Sequence, residues 1–267
     1  MAEDIDALRT FLTRVTAVED VHHHMRRITF AGDDLADFEP VGPDTFLYML
    51  VAPPGRTELG IGHDFTWTAY FAMADDVRPV GGYYTLVEWR PEARELVMHL
   101  MTHGDTGPAS AWVGRAQIGD HAALWGPRTA YDPPADTTSF VLVADETGVP
   151  AASVIAAEVP DGVPVLAFLE IGSEDERQPF PEREGHEVVW LHRDGAEPGT
   201  TTLLADAVRA AAWPGGSPYV WGGGESRAMT AVRRYVRREI GLPREAVSLV
   251  AYWRHADSPV ESTTDDD

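Results

Sequence analysis

The chain has 267 residues, 44% of them hydrophobic and 24% charged, with 24 Gly, 20 Pro and no Cys; that composition fits one large or two ordinary domains and excludes disorder over most of the length. Without Cys there are no disulfides, thiolate zinc sites, Cys-ligated iron–sulfur clusters or thiol nucleophiles. All 21 basic residues are Arg, set against 43 Asp and Glu for a formal charge of −22, which excludes Schiff-base and Walker-loop lysine chemistry and disfavours nucleic acid or an anionic membrane surface as partner.

The first ten residues, MAEDIDALRT, are acidic and lack the basic and apolar regions of a signal peptide. No apolar run reaches the roughly 18 residues needed to cross a bilayer. A cytoplasmic location is the expectation. From about Val15 to Leu124 the apolar residues come in short runs bounded by turn formers: VHHHMRRITF, TFLYMLVAP, DFTWTAYFAM, GGYYTLVEW, ELVMHLMTHG and HAALWG. Such runs, rich in Val, Tyr, Thr and Trp, predict an antiparallel barrel or sandwich.

After Pro133-Pro134 the rhythm changes. SFVLVA predicts a buried strand, GVPAASVIAAEV a helix, VPVLAFLEI and EVVWLHR two further strands, and TTLLADAVRAAAW a second helix. PYVWGGGE is then a strand, RAMTAVRRYVRREIGL a helix ended by Gly241, and EAVSLVAYW a last strand. Strands alternating with helices imply a parallel sheet covered on both faces. The expected boundaries are a β domain over 1–134, an α/β domain over 138–257, and a disordered acidic tail over 258–267.

A barrel followed by a doubly wound domain suits a two-cofactor reductase, because ligands gather at the carboxyl ends of parallel strands and between domains. Two stretches carry the local chemistry. Tyr84 and Thr85 are neighbours on a strand and point to opposite faces, so they offer an aromatic platform beside an accessible backbone. Gly107 and Pro108 open a helix whose first turn holds the small residues Ala109 and Ser110, a cradle of backbone N–H groups for a pyrophosphate. A ring platform with an anion cradle fits a flavin dinucleotide. The run His22-His23-His24 favours a solvated edge over a metal site, since strand neighbours alternate faces. Gly222-Gly223-Gly224 signals tight backbone approach at a strand end, because no Lys or spaced Gly fingerprint accompanies it. Arg233, Arg234, Arg237 and Arg238 form a basic stretch best taken as a solvated helix face.

The segments MRRITFAGDDL (25–35), YYT (83–85), HGDTGPASAW (103–112), GDHAALWGPR (119–128), ADETGVPA (144–151), WGGGES (221–226) and AYWR (251–254) resemble, in order and spacing, the siderophore-interacting proteins. These are FAD-containing ferric-siderophore reductases related to ferredoxin–NADP reductases. The likeness runs from about Met25 to Arg254. It implies a flavin-binding antiparallel six-stranded β-barrel followed by a doubly wound α/β domain with a five-stranded parallel sheet. It assigns flavin contacts to Tyr84 and Thr85, and the FAD pyrophosphate to His103, Gly107, Ala109 and Ser110. Asp145 and Thr147, at the first strand end of the α/β domain, and Glu225, at a later one, are expected beside flavin and nicotinamide. Arg128 and Arg254 fall at basic positions of the ligand pocket, and Tyr48 stands there where relatives carry Lys.

Two departures bear on cofactor retention. The arginine that opens the family's R-x-Y-T flavin motif is Gly82, and the one that follows is Val87. Both changes remove positive charge near the FAD phosphates, so weaker FAD retention is expected, with Arg26, Arg27 or Arg115 as possible compensation. The resulting expectation is an FAD-dependent oxidoreductase that draws electrons from NADPH or NADH, or from ferredoxin, and reduces a ferric siderophore, acting as a monomer without nucleic acid or membrane partners. The alternatives are an NAD(P)H flavin or ferredoxin-type reductase with another acceptor, and a non-catalytic ferric-siderophore carrier.

Overall fold

Alternation with a period of two governs the N-terminal half. β1 (Arg9–His22), β2 (Met25–Ala31), β3 (Phe46–Val51), β4 (Val80–Arg90), β5 (Glu95–Met101) and β6 (His121–Arg128) form a closed antiparallel barrel in the order β1-β2-β5-β4-β3-β6, with β6 pairing back onto β1. Every second residue points inward: Ile28 and Phe30, then Leu47, Met49 and Val51, then Leu96, Met98 and Leu100. Each such side chain removed from water contributes roughly 1.5–3 kcal/mol before chain entropy is subtracted. The structure, a computed structural model, describes residues 8–102 and 107–258, and it divides between Ala130 and Tyr131 into two compact units.

Two readings of the sequence are corrected in the first unit. DFTWTAYFAM is not a strand; it contains the helix α1 (Trp67–Ala72). The Thr66 hydroxyl accepts from the Ala69 N–H and caps it at 3.1 Å, and the rings at 67, 70 and 71 share one helical side. VHHHMRRITF is not one strand either: β1 ends at His22, which pairs with Met25, and His23-His24 form the exposed turn between β1 and β2. The barrel also begins earlier than Val15, at Arg9. A second helix, α2 (Pro108–Arg115), packs against β4 and β5 and sends Trp112 and Val113 into the barrel core.

The second unit is the expected parallel sheet. β7 (Ser139–Asp145), α3 (Val149–Glu158), β8 (Val165–Ile171), β9 (His186–His192), α4 (Leu203–Ala210), β10 (Pro218–Glu225), α5 (Ser226–Tyr235) and β11 (Val247–Trp253) give the strand order β11-β10-β7-β8-β9. All neighbouring pairs are parallel. β7 and β8 are buried at all seven positions, as strands covered on both faces must be. Phe140, Leu142 and Ala144 meet α3 on one face, while Val141 and Val143 meet α4 and α5 on the other. After a π-turn over Val236–Ile240, α5 stops at Gly241 with φ 83°.

The residue expected to open a disordered tail is instead held in place. Ser258 is buried, and its hydroxyl donates to Glu225 at 2.7 Å; residues 259–267 lie outside the described residues. The Gly222-Gly223-Gly224 run marks close backbone approach, as the sequence suggested: a Cβ on Gly222 would stand 2.6 Å from the Val143 carbonyl oxygen. The tightest contact in this region is at Gly148, the residue before α3, where an added Cβ would lie 2.1 Å from the Gly223 carbonyl oxygen. Gly148→Ala is therefore expected to lose about 1–3 kcal/mol of stability in denaturant titration. Gly114→Ala, in the exposed part of α2 where nothing lies within 4 Å, should be neutral or slightly stabilising.

Candidate functional site

β4 and α2 carry the residues expected to hold a flavin. Tyr84 is half-buried, and its ring lies over Gly82, where a Cβ would meet the ring at 3.6–3.8 Å. Burial, and then the neighbouring Tyr48, push the Tyr84 hydroxyl up to about 12, so the phenol stays neutral. Thr85, 6% exposed, pairs with Phe46 across the ladder, and the next N–H, that of Leu86, donates to the Thr45 carbonyl at 2.8 Å. On the adjoining α2, the N-cap is Gly107 and carries no side-chain cap, Pro108 occupies the first turn, and an added Cβ at Gly107 would touch nothing within 4 Å. Ala109 and Ser110 follow in the same turn. A diphosphate approaching this end meets small side chains and the positive end of the helix dipole, so these residues fit an FAD. His103 lies outside the described residues.

Three arginines were candidates to replace the charge absent at positions 82 and 87, and two are committed elsewhere. Arg26 donates to Asp20 at 3.1 Å and to the Val113 carbonyl at 3.0 Å, tying β2 to α2. Arg27 is paired with Glu88 and Glu19 and lies 3.3 Å from the His99 ring nitrogen. Burial first, and Arg27 second, hold His99 down to about 4, so this imidazole is neutral near pH 7. Arg115, in contrast, lines a cavity of about 480 Å³ with Trp112, Arg56, Gln117 and His121. Ala52 lines the same cavity and directly follows Val51, which pairs with Val80, two residues from Gly82.

On the outer side of the barrel, aromatic rings form a continuous shelf. Tyr48 of β3 makes edge contacts with Tyr83 of β4 at 4.8 Å and with Trp67 of α1 at 5.0 Å, and Trp67 meets Trp125 of β6 at 5.4 Å. Phe71, 67% exposed, stacks on Trp67 at 5.8 Å. Arg128 donates to the Tyr83 hydroxyl at 2.9 Å and sits over the Phe46 and Tyr83 rings at 5.7 and 5.6 Å. Tyr48 and Arg128, both expected at the ligand pocket, are therefore joined through Tyr83. Sequence reasoning missed Trp67, Tyr83 and Trp125. The signal for the first was the Thr66 cap ahead of rings spaced three and four apart.

The carboxyl ends of the parallel strands hold the remaining expected residues. Asp145 accepts four hydrogen bonds, from the Thr147 N–H and hydroxyl at 2.9 and 2.6 Å, from the Glu225 N–H at 2.7 Å and from the Trp253 indole at 2.8 Å. Burial, followed by the charge of Glu146, nevertheless raises Asp145 to about 6. Glu225 shifts the other way. Burial alone would raise it, but donors at Ser258, His255, Arg227 and Ala228 outweigh that effect and hold it below the usual carboxylate range. Asp145 and Glu225 thus spend their oxygens on the turn after β7 and on the cap of α5. Arg254 is exposed at the end of β11.

Beside them lies a network that the sequence did not reveal. Arg193, just past β9, donates to both Glu146 oxygens at 2.7 and 2.9 Å and lies 3.6 Å from Glu170, while the Thr201 hydroxyl donates to Glu170 at 2.9 Å. The Arg193 and Glu146 side chains are 3% and 2% exposed. The signal for Glu170 was a lone charge near the end of an apolar strand. Nothing local marks Arg193 as its neighbour.

Residues 14–131 match the family model of the siderophore-interacting FAD-binding domain, and residues 137–256 match that of the siderophore-interacting protein. A siderophore utilization protein from T. fusca superposes with a TM-score of 0.84 at 32% identity, covering 95% of this chain and 96% of its own. The siderophore-interacting protein SipS from Aeromonas hydrophila does so with a TM-score of 0.75 at 26% identity, covering 92% of this chain and 99% of its own. Ferric vibriobactin reductase ViuB of Vibrio cholerae is 26% identical over 263 residues, 95% of this chain and 93% of the relative.

Removing one member of a buried, doubly bonded ion pair leaves the other charge without compensation. Arg193→Met is accordingly expected to destabilise the second unit by about 3–5 kcal/mol in denaturant titration, and Arg193→Met with Glu146→Leu should recover most of that loss.

Proposed function

The chain belongs to the siderophore-interacting protein family, and from that premise we propose that it is an FAD-dependent reductase of ferric siderophores that frees iron as Fe(II) inside the cell. The observation that carries the reading is the pairing of Tyr84 and Thr85 on β4 with the uncapped, small-residue N-terminus of α2, which packs on that strand. FAD, when bound, supplies the exchange between a two-electron donor and a one-electron acceptor. NADH or NADPH is the donor in this reading. One NAD(P)H and two Fe(III) give one NAD(P)⁺, one proton and two Fe(II), and Fe(II) binds hard oxygen donors far more weakly, so reduction releases the metal.

The chain's own residues hold and orient the reactants. The Tyr84 ring and the Thr85 backbone seat the flavin, and the N–H groups of the first turn of α2 hold its phosphates. Arg115 supplies the cation that positions 82 and 87 lack. Arg128 and Tyr48 contact the chelate. Asp145, Thr147 and Glu225 hold the turns at the strand ends where a nicotinamide nucleotide binds. A carrier without flavin is the competing reading, and it draws on Gly82 and Val87.

Anaerobic turnover of a ferric siderophore with a ferrous trap, comparing NADH, NADPH and reduced ferredoxin, tests the proposal. Trapped Fe(II) from FAD-loaded protein supports it. A protein that stays colourless after incubation with FAD, yet binds ferric chelate, replaces it with the carrier. Gly82→Arg, whose Cβ would meet the Tyr84 ring at ordinary van der Waals distance, should tighten FAD retention by roughly tenfold, the value of one charge-assisted contact. Arg115→Ala should loosen it by a similar factor; both changes are read from flavin fluorescence on dilution.

A further inference from the structure

The aromatic shelf has a definite charge character. The segment over residues 53–80, which carries α1, contains two arginines against four carboxylates, Glu58, Asp64, Asp75 and Asp76. Both arginines are neutralised within the segment: Arg56 pairs with Asp76 at 2.7 Å, and Arg78 pairs with Asp75 at 2.9 Å while also donating to the Met73 carbonyl at 2.6 Å. His63 is paired with Asp34 at 2.6 Å. Next to Arg128, Thr129 is bonded to Asp44, a carboxylate 1% exposed that also accepts from the Ala130 N–H at 3.0 Å. The Tyr48 hydroxyl, pushed up to about 12 by burial and then by Tyr70 and Tyr83, remains a neutral phenol. The shelf therefore presents π faces and edges with two guanidiniums that are both already engaged, Arg128 bonded to Tyr83 and Arg78 over the Tyr70 ring at 5.8 Å but paired with Asp75, on a segment with more carboxylates than arginines and a chain of −22.

The common classes of ferric chelate differ most simply in charge. Three hydroxamates balance Fe(III) and leave an uncharged complex, whereas three catecholates leave a trianion. A trianion approaching the shelf would give up hydration to meet rings, with two guanidiniums in return that already have partners. An uncharged complex loses little hydration and gains ring contact over its methylene and amide surface. We propose that this shelf selects an uncharged ferric chelate of the tris-hydroxamate type over a trianionic tris-catecholate. The inference rests on reading the barrel unit as the siderophore-binding part, and it adds the class of chelate.

Gallium(III) complexes test it, because they copy the charge and size of the iron complexes but are not reduced, so binding is read apart from turnover. The FAD-loaded protein is titrated with the gallium complex of desferrioxamine E, which is uncharged, and with gallium enterobactin, a trianion, while the fluorescence of shelf tryptophans is followed. The expected result is at least about tenfold tighter binding of the uncharged complex at low salt, a gap that shrinks as salt screens the repulsion. Tyr48→Lys should narrow or invert the gap, and Tyr48→Phe should preserve it. Equal or tighter binding of the trianion to the unaltered protein overturns the charge selection and leaves the siderophore reading in place. So does a gap that Tyr48→Lys does not change. If neither complex binds, the siderophore reading itself fails, and this inference fails with it.

Discussion

A shortage of positive charge organises this protein. With 21 Arg, no Lys and 43 acidic residues, each guanidinium that leaves water must be matched closely, and most of those in the barrel are already matched. Arg26 and Arg27 are used to tie strands and a helix together, so they are not available to a ligand. Arg193 is sealed between strand ends by two glutamates. Arg128 is the exception that keeps an aromatic outlook, and Arg115 lines a cavity.

The same scarcity explains the contrast between the two carboxylates at the ends of β7 and β10. Asp145 and Glu225 are both buried, and both accept several hydrogen bonds. They move in opposite directions because burial, and then the charge of Glu146, raise Asp145, whereas the donors at the head of α5 and in the loop after β11 outweigh burial at Glu225. Local geometry, not residue type, decides which of them keeps its charge easily.

The two-part architecture was legible because periodicity is a local property. Leu47, Met49 and Val51 alternate within six residues, and SFVLVA and VPVLAFLEI announce strands buried on both faces. α1 was not legible from ring content, since Trp, Tyr and Phe favour strands in general; the deciding features were a threonine cap and packing onto rings from distant strands. The His23-His24 turn was hidden because neither residue is a turn former. The flavin-motif departures at 82 and 87 could be read directly, but which arginines are left to answer them could not, because that depends on pairings of Arg26 and Arg27 with residues far away in the chain. The link between Glu146 and Arg193, 47 positions apart, is legible only once β7 and β9 are known to flank β8.

The residues just past the last strand act as a clasp. His255 and Ser258 fold back so that the backbone of one and the hydroxyl of the other close the second oxygen of Glu225, while Trp253 reaches Asp145. A shortened chain that stopped ahead of this loop would keep every helix and strand among the described residues, yet the capping carboxylate of α5 would lose both donors to its second oxygen. The second unit therefore reaches at least as far as a serine beyond its last strand, and a boundary drawn at that strand would cut through its fastening.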